Sequence, residues 1–190
     1  MRLTTKALVT AAALLVASNA WAIKDPETGV NFSNTSKCGG ASATAAGVGV
    51  REATFGIDVY AVVVYVSDSM KGKSITNTSG CAKFMLKFVR DVGAGKIKDA
   101  WAKSLKRHGV SPSDANVQKF LKVITGEMKK HKYMIFEVNG SDIFHSFMGR
   151  TVRVTGAAKL ARAIKATYLK SGSPTPTLVK DVRKRGVAKP

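Results

Sequence analysis

Acidic residues are scarce in this sequence of 190 residues, which holds 12 Asp and Glu against 31 Lys and Arg. The resulting formal net charge of +19 attracts polyanions and anionic surfaces without specificity. A protein dedicated to nucleic acid would gather its basic residues in one arm or motif, but here they are scattered over predicted helices. We therefore predict no nucleic-acid partner. We expect a solvated basic surface that can make peripheral contact with an anionic membrane.

Metal-ligating and nucleophilic side chains are also few, with two cysteines and three histidines in the chain. Neither cysteine has a close Cys or His neighbour, and no Ser-His-Asp arrangement or glycine-rich phosphate loop is recognisable. We expect no metal site, no cofactor and no catalytic residue. His145 falls in a predicted strand, where a lone histidine is more often structural than catalytic.

Only one long uncharged apolar run stands apart from the rest of the pattern, and it lies at the N-terminus. Two basic residues precede the stretch 7–17, and Ala20-Trp21-Ala22 ends in the small residues that a signal peptidase accepts. A membrane anchor is the alternative, but the stretch is shorter than the ~20 apolar residues of a spanning helix. We predict a signal peptide at 1–22, cleavage before Ile23, and a periplasmic or secreted protein whose single domain spans 23–190.

The two cysteines, Cys38 and Cys81, predict a disulfide, because an exported chain folds in an oxidising compartment. The alternative is a pair of separate buried thiols. A bridge across so long a loop would contribute roughly 3 to 5 kcal/mol to the free energy of unfolding in the chain-entropy account.

The pattern of apolar residues predicts an α+β protein. The run 57–66 is dominated by β-branched and aromatic residues and is apolar on both alternating faces, which is typical of a central strand covered on both sides. The stretch 39–49, rich in glycine and alanine, has little to bury, and we interpret it as a loop. Further strands are predicted at 83–89, 133–138, 143–148 and 151–155, and helices at about 96–108, from 117 to near Gly126, at 157–169 and at 178–185. The class is a largely antiparallel sheet with helices packed against it.

A candidate anion site lies where the stretch 47–60 would fold into a hairpin. A two-residue turn at Phe55-Gly56 would pair Thr54 with Ile57, Ala53 with Asp58, Glu52 with Val59, and Arg51 with Tyr60. A guanidinium and a phenol would then converge on one carboxylate from the same face of the sheet, with Glu52 pointing away. The alternative is a surface arginine covering an aromatic ring. The apolar surroundings of Tyr60 favour a partly buried Arg51 that needs an anionic partner.

The segment Gly47-Val48-Gly49-Val50-Arg51 and the following Val59–Val66 resemble the glycine-arginine motif and next strand of the chalcone isomerase superfamily, in particular its bacterial chalcone-isomerase-like members. Weaker similarity continues through 88–92, 97–101 and 163–169. The resemblance implies an open-faced sandwich, in which a large antiparallel sheet and a layer of helices enclose a ligand cleft.

The resemblance also implies roles for particular residues. In the plant enzyme the motif arginine orients an anionic flavonoid during ring closure, and in plastid members it holds a fatty-acid carboxylate with a tyrosine of the next strand. Arg51 matches both, whereas Tyr60 matches the fatty-acid binders, since the enzyme has threonine there. The enzyme's active-site tyrosine would fall on Val89 and its helical asparagine near Lys96. Thr167 corresponds to a hydroxyl residue on the enzyme's last cleft helix.

These matches favour a non-catalytic binder of a fatty acid or similar apolar carboxylate, whose tail lies between the sheet and the helices that carry Trp101 and Ile164. The first alternative is an isomerase, an intramolecular lyase acting on a phenolic substrate. The second is a basic protein that meets anionic partners or membranes through charge alone. Ionic strength separates charge-only binding from burial of an apolar tail, because only the former fades steeply with salt.

Overall fold

Seven strands form one antiparallel sheet in the computed structural model of the chain, which describes residues 22–77 and 79–190. The strands lie side by side in chain order, as β3 (Thr35–Cys38), β4 (Ala41–Ala53), β5 (Ile57–Ser67), β6 (Ala82–Phe88), β7 (Tyr133–Asn139), β8 (Asp142–Phe147) and β9 (Arg150–Val154). Two short strands, β1 (Ala22–Lys24) and β2 (Asn31–Ser33), pair separately. Apart from its last residue, the predicted signal peptide lies outside the described residues.

The helices of the described residues are α1 (Ala94–Arg107), α2 (Ala115–Leu121), α3 (Ala158–Leu169) and α4 (Pro176–Arg185). Asp114 caps α2 by accepting the backbone N–H groups of Asn116 and Val117. The predicted continuation of α2 towards Gly126 is wrong, because the chain turns after Leu121 and the N–H of Ile124 bonds back to the Leu121 carbonyl. No helix within 22–77 or 79–190 is long and apolar enough to cross a membrane.

Strand β5 is covered on both faces from Tyr60 onwards, which explains why its sequence between Val59 and Val66 is apolar on both alternating faces. Val62 and Val64 point into the main core beneath α1, α2 and α3, where they are fully buried. Val63 and Tyr65 point into a second core, which the β1–β2 pair covers. The Tyr65 hydroxyl donates to the Ser33 carbonyl across this second layer. The sheet with its helix layer confirms the predicted α+β open-faced sandwich.

The interpretation of 39–49 as a loop is wrong, since most of it belongs to β4. Its small residues instead let helix α4 approach the strand. A Cβ on Gly47 would lie 2.6 Å from a methyl carbon of Val182, and one on Gly49 would collide with the backbone of Leu178. Glycine in a strand often marks this kind of close backbone approach.

Helix α4 also satisfies the backbone of β4 beyond the end of β3. Strand β3 pairs with β4 only between 41 and 44, so the edge of β4 that follows has no neighbouring strand. There the N–H groups of Val48 and Val50 donate to Asp181 Oδ2 and Thr177 Oγ1, each at 2.9 Å. This covered edge holds in place the part of β4 that carries Arg51.

A disulfide joins Cys38, the last residue of β3, to Cys81, which directly precedes β6. Both residues are buried in the second core, and their Cα atoms are 5.7 Å apart. The bridge spans 43 residues of sequence and ties the edge strand β3 to a central strand.

Candidate ligand-binding site

The hairpin between β4 and β5 brings Arg51 directly opposite Tyr60, although not by the predicted turn. The loop has three residues, Thr54–Gly56, and Ala53 pairs with Ile57. A bulge between Arg51 and Glu52 then leaves Val59 as an extra residue on β5. The predicted pairs Thr54 with Ile57, Ala53 with Asp58 and Glu52 with Val59 are wrong, but the longer loop and the bulge offset each other at Arg51.

A cavity of about 460 Å³ opens between this end of the sheet and the helices. Arg51, Tyr60 and Thr167 all line it, so three distant segments of the chain meet there. The rest of the wall is mainly apolar or aromatic and includes Val59, Phe88, Ile97, Ala100, Trp101, Met134 and Tyr168. This size and this mixture of apolar walls with few polar groups are typical of small-molecule sites.

Arg51 is partly buried and forms no ion pair with a carboxylate in the described part of the chain. The two carboxylates that line the cavity, Asp91 and Glu127, both bind Lys129. The N–H of Lys130 also donates to Asp91 at 2.7 Å, and these bonds lower the pKa of the Asp91 carboxyl. The cavity therefore presents Arg51 as a cation whose charge no neighbouring acid neutralises.

Glu52, next to Arg51 in sequence, lies on the opposite face. Its carboxylate and those of Glu27 and Asp58 lie within 4.8 Å of one another. Burial raises the pKa of the Glu27 carboxyl, and so do the charges of Asp25 and of these two acidic neighbours. The alternation of a β-strand thus places Arg51 in the cavity and Glu52 outside it.

Tyr168 of α3 is a site residue, although its position in the sequence pattern indicated only an apolar helix stripe. Tyr60 and Tyr168 are both buried in the cavity wall, and their hydroxyl groups are close enough to shift each other's pKa. Burial raises the pKa of Tyr60, although Arg51 and the Tyr168 hydroxyl oppose the shift. Burial and the neighbouring Tyr60 raise the pKa of Tyr168 well above its ordinary value. Both phenols therefore stay protonated and can donate hydrogen bonds.

Trp101 of α1 forms part of the apolar wall beneath this polar corner. Its ring meets those of Tyr168, Phe120 and Phe136 edge to face, with centroids 5.0 to 6.0 Å apart. Such contacts hold an aromatic side chain in one orientation. The predicted position of the apolar tail, beside Trp101, coincides with this wall, whereas Ile164 packs in the core beyond it.

Thr167 is buried in the cavity wall, but its hydroxyl already has a partner. Its Oγ1 donates to the Ala163 carbonyl at 2.9 Å, within α3. A threonine hydroxyl has one hydrogen to donate, so in this rotamer Thr167 offers only lone pairs to the cavity. Arg51 and the tyrosines are the stronger candidates for holding an anion.

Other positions singled out in the sequence lie outside this polar corner. The N–H of Val89 bonds to the Val59 carbonyl, and its apolar side chain has no hydrogen-bonding group, while Lys96 is exposed at the cavity edge.

His145 is fully buried, with Nδ1 2.9 Å from the Phe120 carbonyl and its ring against Phe120 and Phe136. Burial lowers the pKa of His145 to about 3, so the ring is neutral and packs as part of the core.

Comparison with known proteins agrees with this architecture. No curated protein sequence matches the chain. The crystal structure of the Arabidopsis thaliana fatty-acid binding protein AtFAP1 superposes with a TM-score of 0.71 at 18% identity, over 87% of this chain and 98% of that one. The sequence model of a family described as chalcone isomerase-like matches residues 26–180. The chain therefore belongs to the chalcone isomerase-like family.

Proposed function

We propose that this protein is an exported, non-catalytic binder of a fatty acid or a similar apolar carboxylate. The observation that carries the proposal is Arg51, a partly buried cation beside the Tyr60 hydroxyl, at one end of an apolar cavity and without a carboxylate partner in residues 22–77 and 79–190. A ligand carboxylate would supply the missing negative charge.

The polar corner and the apolar wall would hold the two parts of such a ligand. Arg51 would give two parallel N–H donors to the carboxylate, and Tyr60 a third donor. Tyr168, whose hydroxyl interacts with that of Tyr60, would help to hold Tyr60 in place from behind. Each methylene placed against the wall around Trp101 and Met134 would add about 0.8 kcal/mol of binding free energy.

Binding is a better account of this cavity than chalcone cyclisation. Val89 stands at the position that the resemblance matches to the enzyme's tyrosine, and valine has no hydroxyl to donate to a substrate oxygen. Tyr60 stands where the enzyme has threonine. The similar solved structure is described as a fatty-acid binding protein, which supports the same ligand class here.

Two features support export to the periplasm or to the medium. The N-terminal segment 1–22 has the basic start, apolar stretch and Ala20-Trp21-Ala22 site of a cleavable signal. The disulfide between Cys38 and Cys81 suits an oxidising compartment. N-terminal sequencing of the exported protein should begin at Ile23, and an intact Met1 in that fraction would contradict cleavage.

The decisive experiment titrates a fluorescent fatty acid into wild-type protein and into Arg51→Ala. A hydrogen bond to a charged group contributes about 1.5 to 3 kcal/mol, so the variant should bind roughly 10- to 150-fold more weakly. Arg51→Lys should recover part of the affinity, because one ammonium cannot reproduce the two-pronged contact. The matched control is Arg153→Ala, which removes an exposed strand arginine that does not line the cavity.

Circular dichroism should confirm that every variant is folded. Equal affinity in wild type and Arg51→Ala would refute the site. Mass spectrometry of lipids extracted from natively purified protein would identify the ligand class, and an absence of enriched apolar acids over a control would contradict the proposal.

A further inference from the structure

The large apolar side chains that the described residues expose all lie at one end of the sheet. They are Phe55, Ile57, Tyr133 and Met148, and we call this group the mouth rim. Phe55 is 95% exposed, at the tip of the β4–β5 hairpin. Scattered single exposed apolar residues are normal on a protein surface, whereas a cluster at one place marks an interaction site.

Strand register places the members of the mouth rim together although they are far apart in sequence. Tyr60 pairs with Phe88 and Lys87 with Tyr133, so β5 and β7 begin at the end where β6 stops. The N–H of Met148 bonds to the Tyr133 carbonyl, so the β8–β9 turn lies there as well. The rim therefore extends from β5 to β8, three strand spacings or about 14 Å.

The mouth rim lies at the end of the sheet where the ligand cavity opens, although its four residues do not themselves line the cavity. Ala53 and Val59 line the cavity and flank the exposed hairpin tip, while Phe88 and Met134 line it at the same end of the sheet. Tyr133 pairs with Lys87 at that end, on the opposite face of the sheet. An apolar surface that met the rim would therefore also face the opening of the cavity.

Exposed basic residues surround the same end. Arg90, Lys130, Lys132 and Arg150 are exposed there, and the Lys87 ammonium lies 5.7 Å from the centre of the Tyr133 ring. The acidic residues of this end are Asp91 and Glu127, both bound to Lys129, and the Glu27, Glu52 and Asp58 group on the far face of the hairpin. The rim thus combines apolar side chains with a surplus of positive charge.

We propose that the mouth rim docks on the surface of an anionic lipid bilayer and turns the cavity opening towards it. Phe55 and Ile57 would enter the boundary between headgroups and acyl chains, and Tyr133 would lie at headgroup level. The lysines would bind anionic headgroups, each contributing about a fivefold gain in affinity. A second copy of this chain fits less well, because two basic rims would repel each other.

The role that we infer for docking rests on the proposed function, since docking would let a fatty acid pass between the bilayer and the cavity without crossing water. Docking itself is measurable without a ligand. The purified exported protein would be sedimented with vesicles of phosphatidylcholine alone and with vesicles in which about a third of the lipid is phosphatidylglycerol. We expect binding to the anionic vesicles and much weaker binding to the neutral ones.

Two double variants test whether vesicle binding depends on the rim residues or only on the net charge of the whole protein. Phe55→Ser with Ile57→Ser should weaken binding to the anionic vesicles about five- to tenfold, because the apolar tip is lost. Lys130→Gln with Lys132→Gln should weaken it about 10- to 30-fold. The matched control, Arg183→Gln with Lys184→Gln, removes the same charge from an exposed part of α4 and should change affinity least.

Equal losses in the rim and control variants would overturn the proposal in favour of diffuse attraction by charge. If the protein does not bind vesicles but forms a dimer, and Phe55→Ser with Ile57→Ser abolishes that dimer, then a second copy of the chain covers the rim. The rim variants should retain fatty-acid affinity in solution, and Arg51→Ala should retain vesicle binding. A failure of docking is therefore distinguishable from a failure of ligand binding.

Discussion

Arg51 on β4 lies directly opposite Tyr60 on β5, and the Tyr60 hydroxyl in turn lies close enough to that of Tyr168 of α3 for each to shift the other's pKa. The three side chains form a short polar row in a cavity wall that is otherwise mainly apolar. In this arrangement the arginine and the nearer phenol would contact an anion, and the farther phenol would act through its neighbour.

The order of these contacts predicts graded effects on fatty-acid binding. Tyr60→Phe removes one donor to the carboxylate, so affinity should fall about tenfold. Tyr168→Phe removes only the hydroxyl that lies behind Tyr60 and should lower affinity about threefold. Titration of a fluorescent fatty acid measures both, and a larger loss in Tyr168→Phe than in Tyr60→Phe would contradict this order.

The contact between Gly49 and α4 predicts a sharp loss of stability on adding one methyl group. Gly49→Ala would push Leu178 away and break the bond from the Val50 N–H to Thr177, so the free energy of unfolding should fall by about 2 to 4 kcal/mol. Gly95→Ala is the control, because its added Cβ meets no atom within 4 Å and lies in helix α1. It should stabilise the protein by about 0.5 to 1 kcal/mol. Urea denaturation compares them, and equal midpoints would show that α4 does not depend on this glycine.

The disulfide should contribute strongly to stability. A bridge spanning 43 residues restricts the unfolded chain by about 4 kcal/mol at room temperature in the chain-entropy account. Cys38→Ala with Cys81→Ala should therefore unfold at a lower urea concentration than the oxidised protein. A reductant should lower the midpoint of the wild type and leave the double variant unchanged. Coinciding midpoints of oxidised wild type and double variant would exclude a stabilising bridge.

The buried His145 predicts a loss of stability in mild acid. Its pKa is lowered by burial to about 3, whereas in the unfolded chain it is near 6.5. Between these two pKa values, the unfolded state therefore binds a proton at His145 that the folded state does not bind. The contribution of neutral His145 is complete above pH 6.5 and is lost as pH falls from there towards 3.

Between pH 7.5 and 5 this loss amounts to about 2 kcal/mol. His145→Phe keeps a ring between Phe120 and Phe136 and has no titrating group, so its stability should change less over this interval. Urea denaturation of both proteins at the two pH values gives the difference. Parallel changes in wild type and variant would show that His145 is not responsible.

Chalcone cyclisation should not be measurable. Val89 has no donor for a substrate oxygen, and loss of one such donor typically lowers rates 10- to 1,000-fold. The assay follows the disappearance of chalcone absorbance against a buffer control. Turnover that depended on Arg51, and so vanished in Arg51→Ala, would instead favour the isomerase function over simple binding.

Much of the fold follows from local pattern. Apolar residues on both alternating faces of 57–66 indicated a strand covered on both sides, and helical spacing placed Trp101 and Tyr168 on buried stripes. These predictions succeeded because strand and helix periodicity depends on residues a few positions apart. The pairing of Arg51 with Tyr60 was also predicted correctly, although the predicted turn was one residue too short and the bulge was missed. These two differences offset each other at Arg51.

Only the tertiary structure decided which distant segments meet. The stretch containing Gly47 and Gly49 looked like a loop because the reason for its small residues, helix α4, comes about 130 positions later in the chain. Packing of α3 against the sheet brought Tyr168 into the site, and pairing of β5, β6 and β7 brought Phe55 and Tyr133 to the same end of the sheet. Periodicity reports which side of an element is buried, but the partner on that side is chosen by long-range packing, which no local pattern encodes.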